Sequence, residues 1–251
     1  MATTEKYVTL FNFLSNLYDV AYTSARFQRV LIQDTTIDVH QGTITDNSGS
    51  VTKELPLTKE SFAKIFQQSS AVIIQDSMFT QESFLVETAA FFDHGGLEAL
   101  VEYFQQGGTV IVHVVEGIYA IGDILSKQFG CQWKLQAIES SAVVVTDRGR
   151  QLLGEMNCIR EMTLHGKAHF MRAPQVEALI SKKVYNKEEF VNQYDPDSDD
   201  EDAYPRYRRG EEGQHVMCVY EGFGSEGKLI WNGDRGQNDV MKAAFEGLLK
   251  L

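Results

Sequence analysis

The sequence has few cysteines and no long apolar run. Its three cysteines, Cys131, Cys158 and Cys218, are widely spaced and form no CxxC pair. This pattern is typical of reduced thiols in a cytoplasmic protein and not of a disulfide framework. No apolar stretch approaches the roughly 18 residues that a transmembrane helix needs. We therefore expect a cytoplasmic protein that makes no contact with a membrane.

Positive charge is also scarce. The chain carries 23 Lys and Arg against 35 Asp and Glu, a net charge of −12. Such a balance argues against binding nucleic acid through bulk charge. The amino-terminal MATTEKY lacks a basic stretch followed by an apolar one, so we expect no secretory signal. The partner we expect is a small molecule or another protein.

Motifs for common cofactors and nucleophiles are missing as well. No GxGxxG follows a strand, so no dinucleotide site is expected, and we predict no cofactor. No G-x-S-x-G surrounds any serine, which excludes a lipase-type nucleophile elbow. The DPDSD segment that begins at Asp195 starts like a calcium loop but has neither the glycine nor the terminal glutamate of an EF-hand.

Apolar residues make up 43% of the 251 residues, which is enough for a sizeable core. Predicted strands alternate with predicted helices along the chain. That alternation predicts a single α/β domain over residues 1–251, a flavodoxin-like three-layer sandwich with a mainly parallel central sheet.

The stretch from Leu97 to Leu125 organises this prediction. LEALVEYFQQ has helical periodicity and is ended by Gly107 and Gly108. Thr109–Val115 is a short apolar run typical of a buried central strand, with His113 as a core histidine. Glu116-Gly117 then forms a turn into a helix that begins at Ile118. In open α/β sheets this turn lies at the carboxyl edge, where ligands usually bind.

The amino-terminal third is less clear. Residues 5–22 fit a helix, although Tyr7–Phe11 fits a first strand equally well. Phe27–Gln33 predicts a strand that ends at Asp34, and residues 35–56 predict an irregular hairpin or long loop. Thr58 is then the expected N-cap of a helix over Lys59–Gln67.

The second half contains further strands and one long loop. The predicted strands are Ala71–Gln75, Trp133–Ile138, Ala142–Thr146 and Met162–Met171, followed by a hairpin of His215–Glu221 and Lys228–Asn232. Residues 186–213 are acidic, hold two of the four prolines and predict an exposed, mobile loop insertion. Ser198 within it precedes Asp199, Asp200 and Glu201, so it is a candidate phosphorylation site, although a plain solvated loop explains the composition better. Asn238 is the expected cap of a final helix.

Three segments carry a family resemblance: AVIIQDS, GGTVIVHVVEGI and GSEGKLIWNGDRGQNDVMKAAFEGLL. Together they resemble the class I glutamine amidotransferase-like superfamily, and in particular uncharacterised amidotransferase-like proteins of eukaryotes. The resemblance covers roughly residues 70 to 251. It implies a late strand after a Gly-rich turn and a last helix that packs on the sheet.

The chain departs from that family at the nucleophile. Active members carry Cys-x-Gly directly after the central strand, whereas Val115-Glu116-Gly117 stands there in this chain. Valine cannot act as a nucleophile. The His-x-Glu pair of active members has no clear counterpart either. The resemblance therefore implies a pseudoenzyme without glutaminase activity.

Acidic residues follow several predicted strands, and they define the candidate site. Asp34, Asp76, Glu116, Asp147 and Asp234 each stand at a predicted carboxyl end, with Ser77 and Gly117 beside them. Carboxylates that converge on one edge bind hard cations or act as an acid and base pair. The simpler explanation is that Asp and Asn commonly form the turns after strands.

Two hypotheses for the function follow. In the first, the protein is a catalytically inactive amidotransferase-like module that binds a ligand or protein partner at residues Asp76, Ser77, Glu116, Gly117, Asp147 and Asp234. In the second, it is a hydrolase that uses a carboxylate cluster, with or without a metal, at the same edge. Fold alone does not decide between them.

Overall fold

The computed structural model of the chain describes nine ranges of residues: 7–12, 34–40, 43–48, 51–79, 91–114, 119–153, 161–183, 213–222 and 226–234. Several sequence predictions lie outside them. These are the strand Phe27–Gln33, the turn Glu116-Gly117, nearly all of the acidic loop with Ser198, and the final helix at Asn238.

The described residues contain four α-helices and eleven strands. The helices are α1 Lys59–Gln68, α2 Gly96–Gln105, α3 Ile121–Phe129 and α4 Asp147–Leu152, with short 3-10 helices at Asp76–Phe79 and Gln175–Glu177. The strands are β1 Tyr7–Asn12, β2 Asp34–His40, β3 Thr43–Ser48, β4 Val51–Pro56, β5 Ser69–Gln75, β6 Thr109–His113, β7 Lys134–Val145, β8 Glu161–Arg172, β9 Ala178–Lys182, β10 Gln214–Glu221 and β11 Lys228–Asn232.

These strands form one continuous sheet in the order β4-β3-β2-β1-β5-β6-β11-β10-β8-β7-β9. Strands β2, β1, β5, β6 and β11 run parallel to one another. The direction reverses at β10, which is antiparallel to β11. Beyond it, β10, β8, β7 and β9 are all paired antiparallel, and β9 pairs back onto β10. Strands β10, β8, β7 and β9, the last four in the order of the sheet, therefore close into a small barrel.

The predicted flavodoxin-like sandwich with a mainly parallel sheet is wrong. Seven of the eleven pairings between described strands are antiparallel, and four strands form the closed barrel. Trp133–Ile138 and Ala142–Thr146, predicted as two strands, belong to the single twelve-residue strand β7. The reason is that an apolar pattern identifies a strand but contains no information about the direction of its neighbour.

The amino-terminal predictions also need correction. Residues 35–56 were predicted as an irregular hairpin or a long loop. The structure has the antiparallel pairing of a hairpin there, extended to a meander of three strands, β2, β3 and β4. Asp34 is the first residue of β2, so it lies at the amino end of a strand and not at the predicted carboxyl end. Of the two alternatives for the start of the chain, the structure contains the strand, β1, over Tyr7–Asn12.

The two faces of the parallel strands bury separate apolar clusters. One cluster lies under the helices and includes Phe62, Leu100 and Trp231. The other includes Ile111 and continues into the barrel. Ile111 and Val112 on β6 were predicted to be buried, and both side chains are fully buried. Apolar burial of this extent stabilises the fold by about 1.5–3 kcal/mol for each large side chain.

The helix boundaries confirm the capping signals in the sequence. The Thr58 hydroxyl accepts a hydrogen bond from the backbone N–H of Ser61 at 3.3 Å, so Thr58 caps α1 as predicted. Gly107 adopts φ 97° just after α2, a conformation that L side chains rarely adopt. None of the helices in the described ranges has the length and apolar character that crossing a membrane requires.

Candidate functional site

Two of the predicted site residues lie at the carboxyl ends of parallel strands. Asp76 directly follows β5 and Asp234 lies two residues after β11, and both are buried. The backbone of Ser77 continues the short helix that begins at Asp76. Glu116 and Gly117 fall outside the described residues. The edge that was predicted from the sequence is therefore represented by Asp76, Ser77 and Asp234.

Asp147 lies elsewhere in the molecule. It follows β7, an antiparallel strand of the barrel, and is the first residue of α4. Its carboxylate is exposed and forms an ion pair with Arg150. Asp147 is therefore not on the edge formed by the parallel strands. Within the described ranges, no group of three or more His, Cys, Asp or Glu side chains is placed to hold a metal ion.

A row of polar side chains crosses the parallel strands just below that edge. Gln75, His113 and Asn232 are paired in register on β5, β6 and β11, and all three are buried. The side-chain amide of Asn232 donates to Nδ1 of His113 at 3.1 Å, and the Asn232 side-chain oxygen accepts from the backbone N–H of Asp234 at 3.3 Å. Burial lowers the pKa of His113 to about 3. His113 is therefore a neutral core histidine, as predicted.

This buried histidine predicts a loss of stability in mild acid. Above pH 6.5 the imidazole is neutral in both the folded and the unfolded chain, so its titration does not lower the free energy of unfolding. Below that, the unfolded chain takes up a proton that the folded chain binds only near pH 3. We expect the free energy of unfolding to fall by about 2 kcal/mol between pH 7 and pH 5 through His113 alone.

Urea denaturation at the two pH values checks this, with His113→Asn as the comparison. The variant should lose much less stability between pH 7 and pH 5 than the unmodified protein. NMR titration of the His113 ring gives a second, independent reading in the unmodified chain. A ring that titrates near pH 6.5 in the folded protein contradicts the expectation.

A cleft of about 830 Å³ lies beside the barrel. It is formed by the ends of β8 and β9, the start of β10 and the first turn of α4. We call it the barrel cleft, and its polar lining includes Arg150, Arg172, Ser181, Lys182, Gln214 and His215. The cleft gathers several charged and hydrogen-bonding side chains around an open space, so it is the stronger candidate site.

Ser181 and His215 form a hydrogen-bonded pair in the barrel cleft. Pairing of β9 with β10 places the two residues opposite one another, and the Ser181 hydroxyl lies 2.9 Å from Nδ1 of His215. Nε2 of His215 lies 3.1 Å from the backbone carbonyl of Ala173. A carbonyl only accepts, so Nε2 carries the proton and Nδ1 accepts from the serine hydroxyl. Burial lowers the pKa of His215, which keeps the ring neutral, although the Ala173 carbonyl opposes this.

The cationic side chains of the cleft differ in how they are compensated. Arg150 is paired with Asp147 and also donates to the Val145 carbonyl at 2.8 Å. Lys182 is paired with Glu139. Arg172 is exposed and has no ion-pair partner among the described residues. Among the described residues, the guanidinium of Arg172 is therefore not compensated by a carboxylate, in a chain of net charge −12.

Gln214 adds a second unsatisfied group. Its side chain is only 8% exposed and lines the cleft next to His215. Its amide oxygen is buried and accepts no hydrogen bond from the described part of the chain. Leaving such a buried acceptor without a donor costs about 1–3 kcal/mol, which a bound hydroxyl or N–H group would recover.

Asp147 is a predicted site residue that lines the barrel cleft, but sequence reasoning missed Arg172, Ser181, Gln214 and His215. Ser181 and His215 are 34 residues apart, and no motif links them. Arg172 and Gln214 are also brought together only by pairing of β8 with β10. Strand patterns located β8 and β10, but β9, which carries Ser181, was not predicted as a strand, and the partner of each strand could not be deduced from the patterns.

Sequence comparisons identify no relative. No protein-family model matches this chain, and no curated protein matches it. Function therefore has to be argued from the site itself.

Solved structures do resemble the fold. The cytoplasmic protein STM3548 from Salmonella typhimurium matches over 97% of this chain and 98% of its own, with a TM-score of 0.50 and 10% identity. The cytoplasmic protein STM1381 from Salmonella typhimurium LT2 matches over 98% of both chains, with a TM-score of 0.48 and 11% identity. At this identity the first likeness shows the fold alone.

These findings overturn the resemblance to class I glutamine amidotransferase-like proteins. No family model or curated sequence supports it, and β10, β8, β7 and β9 close into an antiparallel barrel where the sequence pattern predicted a mainly parallel sheet. The short segments that suggested it, a buried strand between Gly-rich turns and a late strand, occur in many layered folds. Local patterns of this kind do not define a family.

Proposed function

We propose that the protein binds a small hydroxylated anion in the barrel cleft. The observation that carries the proposal is the guanidinium of Arg172, which no carboxylate of the described residues compensates, at a cleft where Arg150 and Lys182 are already paired. A guanidinium offers five N–H donors in a planar fork, which matches a carboxylate or phosphate group. This keeps the ligand-binding role expected from the sequence and places it at a different site.

Gln214 narrows the chemistry of the ligand. Its buried amide oxygen needs a donor, and an anion without a hydroxyl or N–H group supplies none. A small hydroxy acid or hydroxylated phosphate carries both the negative charge for Arg172 and the donor for Gln214. The volume of about 830 Å³ accommodates a molecule of that size.

The carboxyl edge is the second candidate and stays a prediction. Its residues are Asp76, Ser77, Glu116, Gly117 and Asp234, whereas Asp147, which was predicted with them, lies on the barrel. The barrel cleft is favoured because Arg172, which lines it, is exposed, whereas the side chains of Asp76 and Asp234 are buried. A hydrolase built on a carboxylate cluster has no specific observation in its favour.

We also propose that the protein is located in the cytoplasm. Cys131 and Cys218 are buried free thiols, as expected of a protein in a reducing compartment. The similar structure from Salmonella typhimurium is described as a cytoplasmic protein. We propose no nucleic-acid partner, since the net charge is −12.

Calorimetry with malate and succinate tests the proposal. The two acids have the same charge and differ by one hydroxyl, so malate should bind more tightly if Gln214 accepts from that hydroxyl. Arg172→Gln should weaken malate binding about tenfold or more, because it removes a charge-assisted hydrogen bond.

Arg148→Gln is the matched control. Arg148 is also an arginine near the barrel, but it is held by Glu221 at 3.1 Å and by the Val176 carbonyl at 2.5 Å and does not line the cleft. The control should bind malate like the unmodified protein. Equal weakening by both substitutions, or no binding of any small anion by the unmodified chain, contradicts the proposal.

A further inference from the structure

The Ser181 hydroxyl differs from other serine hydroxyls in the described part of the chain. Ser69 donates to the Ile65 carbonyl at 2.9 Å, and Ser126 donates to the Trp133 carbonyl at 2.8 Å. A carbonyl oxygen does not take up the proton of a hydroxyl. Ser181 instead faces a ring nitrogen, His215 Nδ1, at 2.9 Å. A hydroxyl held by a nitrogen base is the arrangement that activates serine for nucleophilic attack.

We propose that Ser181 is a nucleophile and His215 its general base, and that the barrel cleft hydrolyses small carboxylic esters whose acyl part carries a negative charge. The charge preference rests on the proposed binding of anions by Arg172. The activation of Ser181 does not, because it follows from the Ser181–His215 geometry alone.

The orientation of the imidazole supports this role. The Ala173 carbonyl accepts from Nε2, which leaves the lone pair of Nδ1 directed to the serine. In serine hydrolases a third group holds the base in the correct tautomer in the same way. Here that group is the backbone carbonyl of Ala173, directly after β8. The His215 ring is therefore held at Nδ1 by Ser181 of β9 and at Nε2 by Ala173.

The reaction is balanced with water as the only co-reactant. His215 Nδ1 takes the hydroxyl proton while Ser181 Oγ forms a bond to the ester carbonyl carbon. The bond from that carbon to the alkoxy oxygen then breaks, and Nδ1 returns the proton to the departing alcohol. A solvent water next attacks the acyl group, gives its proton to Nδ1 and releases the acid, and the proton returns to Ser181 Oγ. Nothing is oxidised or reduced in these steps.

A fluorophosphonate probe tests the nucleophile in the unmodified full chain. The probe forms a bond from phosphorus to an activated serine oxygen and loses fluoride. We expect one adduct by intact mass, and peptide mapping should place it on Ser181. This measurement needs no variant, so it does not depend on how well a substituted protein folds.

Three variants complete the test. Ser181→Ala should abolish labelling, and His215→Gln should slow it about 100-fold, since general-base assistance is worth about that much or more. Ser69→Ala is the control, because it removes a buried serine hydroxyl that donates to a backbone carbonyl. It should be labelled at the rate of the unmodified chain.

The outcomes separate this proposal from the proposed function. No adduct on the unmodified chain, or an adduct on another residue, overturns the nucleophile. If malate still binds in that case, the binding function stands alone. An adduct on Ser181 with no preference for mono-p-nitrophenyl succinate over p-nitrophenyl acetate supports the nucleophile and overturns the anionic substrate class.

Discussion

Gly233→Ala is expected to lower the free energy of unfolding by about 3 kcal/mol or more, because the added methyl group has no space. A Cβ at this position would lie 1.9 Å from the His169 carbonyl oxygen and 2.8 Å from the Trp231 ring nitrogen. The first of these atoms belongs to the backbone, so no change of rotamer relieves the clash.

Gly233 also connects the parallel strands of the sheet to the barrel. The Gly233 carbonyl accepts from the His169 N–H at 2.8 Å, and the Gly233 N–H donates to the Val216 carbonyl at 2.8 Å. Those bonds connect the end of β11 to β8 and β10. Moving the backbone to make room for a methyl group would therefore lengthen the hydrogen bonds that attach the barrel to the parallel strands.

Urea denaturation measures the effect, with Gly107→Ala as the control. Gly107 has φ 97°, so alanine is strained there, but among the described residues its Cβ would meet the Glu226 Cβ at an ordinary 3.6 Å and nothing closer. We expect Gly107→Ala to lower the free energy of unfolding by about 1 kcal/mol through backbone strain alone. A loss at Gly233 no larger than at Gly107 would show that the junction between β11 and the barrel adapts easily.

Ile111→Ala should cost about 2–5 kcal/mol through lost burial and the cavity that remains. Ile111 is 0% exposed and lies in the central strand β6. It is paired there with Ile73 on β5 and with Ile230 on β11. Three isoleucines in register on one face leave little freedom for collapse around a deleted side chain.

A graded series makes the Ile111 test specific. Ile111→Val removes one methylene and should cost about 0.5–1.5 kcal/mol. Val176→Ala is the surface control, because Val176 is 72% exposed and its truncation should change stability by less than about 0.5 kcal/mol. A loss under about 0.5 kcal/mol for Ile111→Ala would be incompatible with a buried central strand.

Local structure was largely predictable. Thr58 before a helical pattern predicted α1 and its cap, and Thr109 with the apolar residues after it predicted β6 and its burial. Short-range preferences decide such features, since a side-chain oxygen caps a helix only three residues away and a β-branched run favours a strand wherever it packs.

The candidate site was not predictable in the same way. Asp76 and Asp234 were located at strand ends because turn residues follow strands, and that rule is local. Ser181 and His215 became a pair only when β9 and β10 paired antiparallel. The carboxylates were expected on one edge because a parallel sheet was assumed, and Asp147 lies on the barrel instead.

The sequence by itself therefore determined the apolar residues of the core, the Thr58 cap and strands such as β5 and β6, because those depend on the pattern of neighbouring residues. Tertiary structure alone decided the direction of each strand, the closure of β10, β8, β7 and β9 into a barrel and the meeting of Ser181 with His215. Antiparallel and parallel strands have similar apolar patterns, and the choice between them depends on hydrogen bonds between residues far apart in the chain.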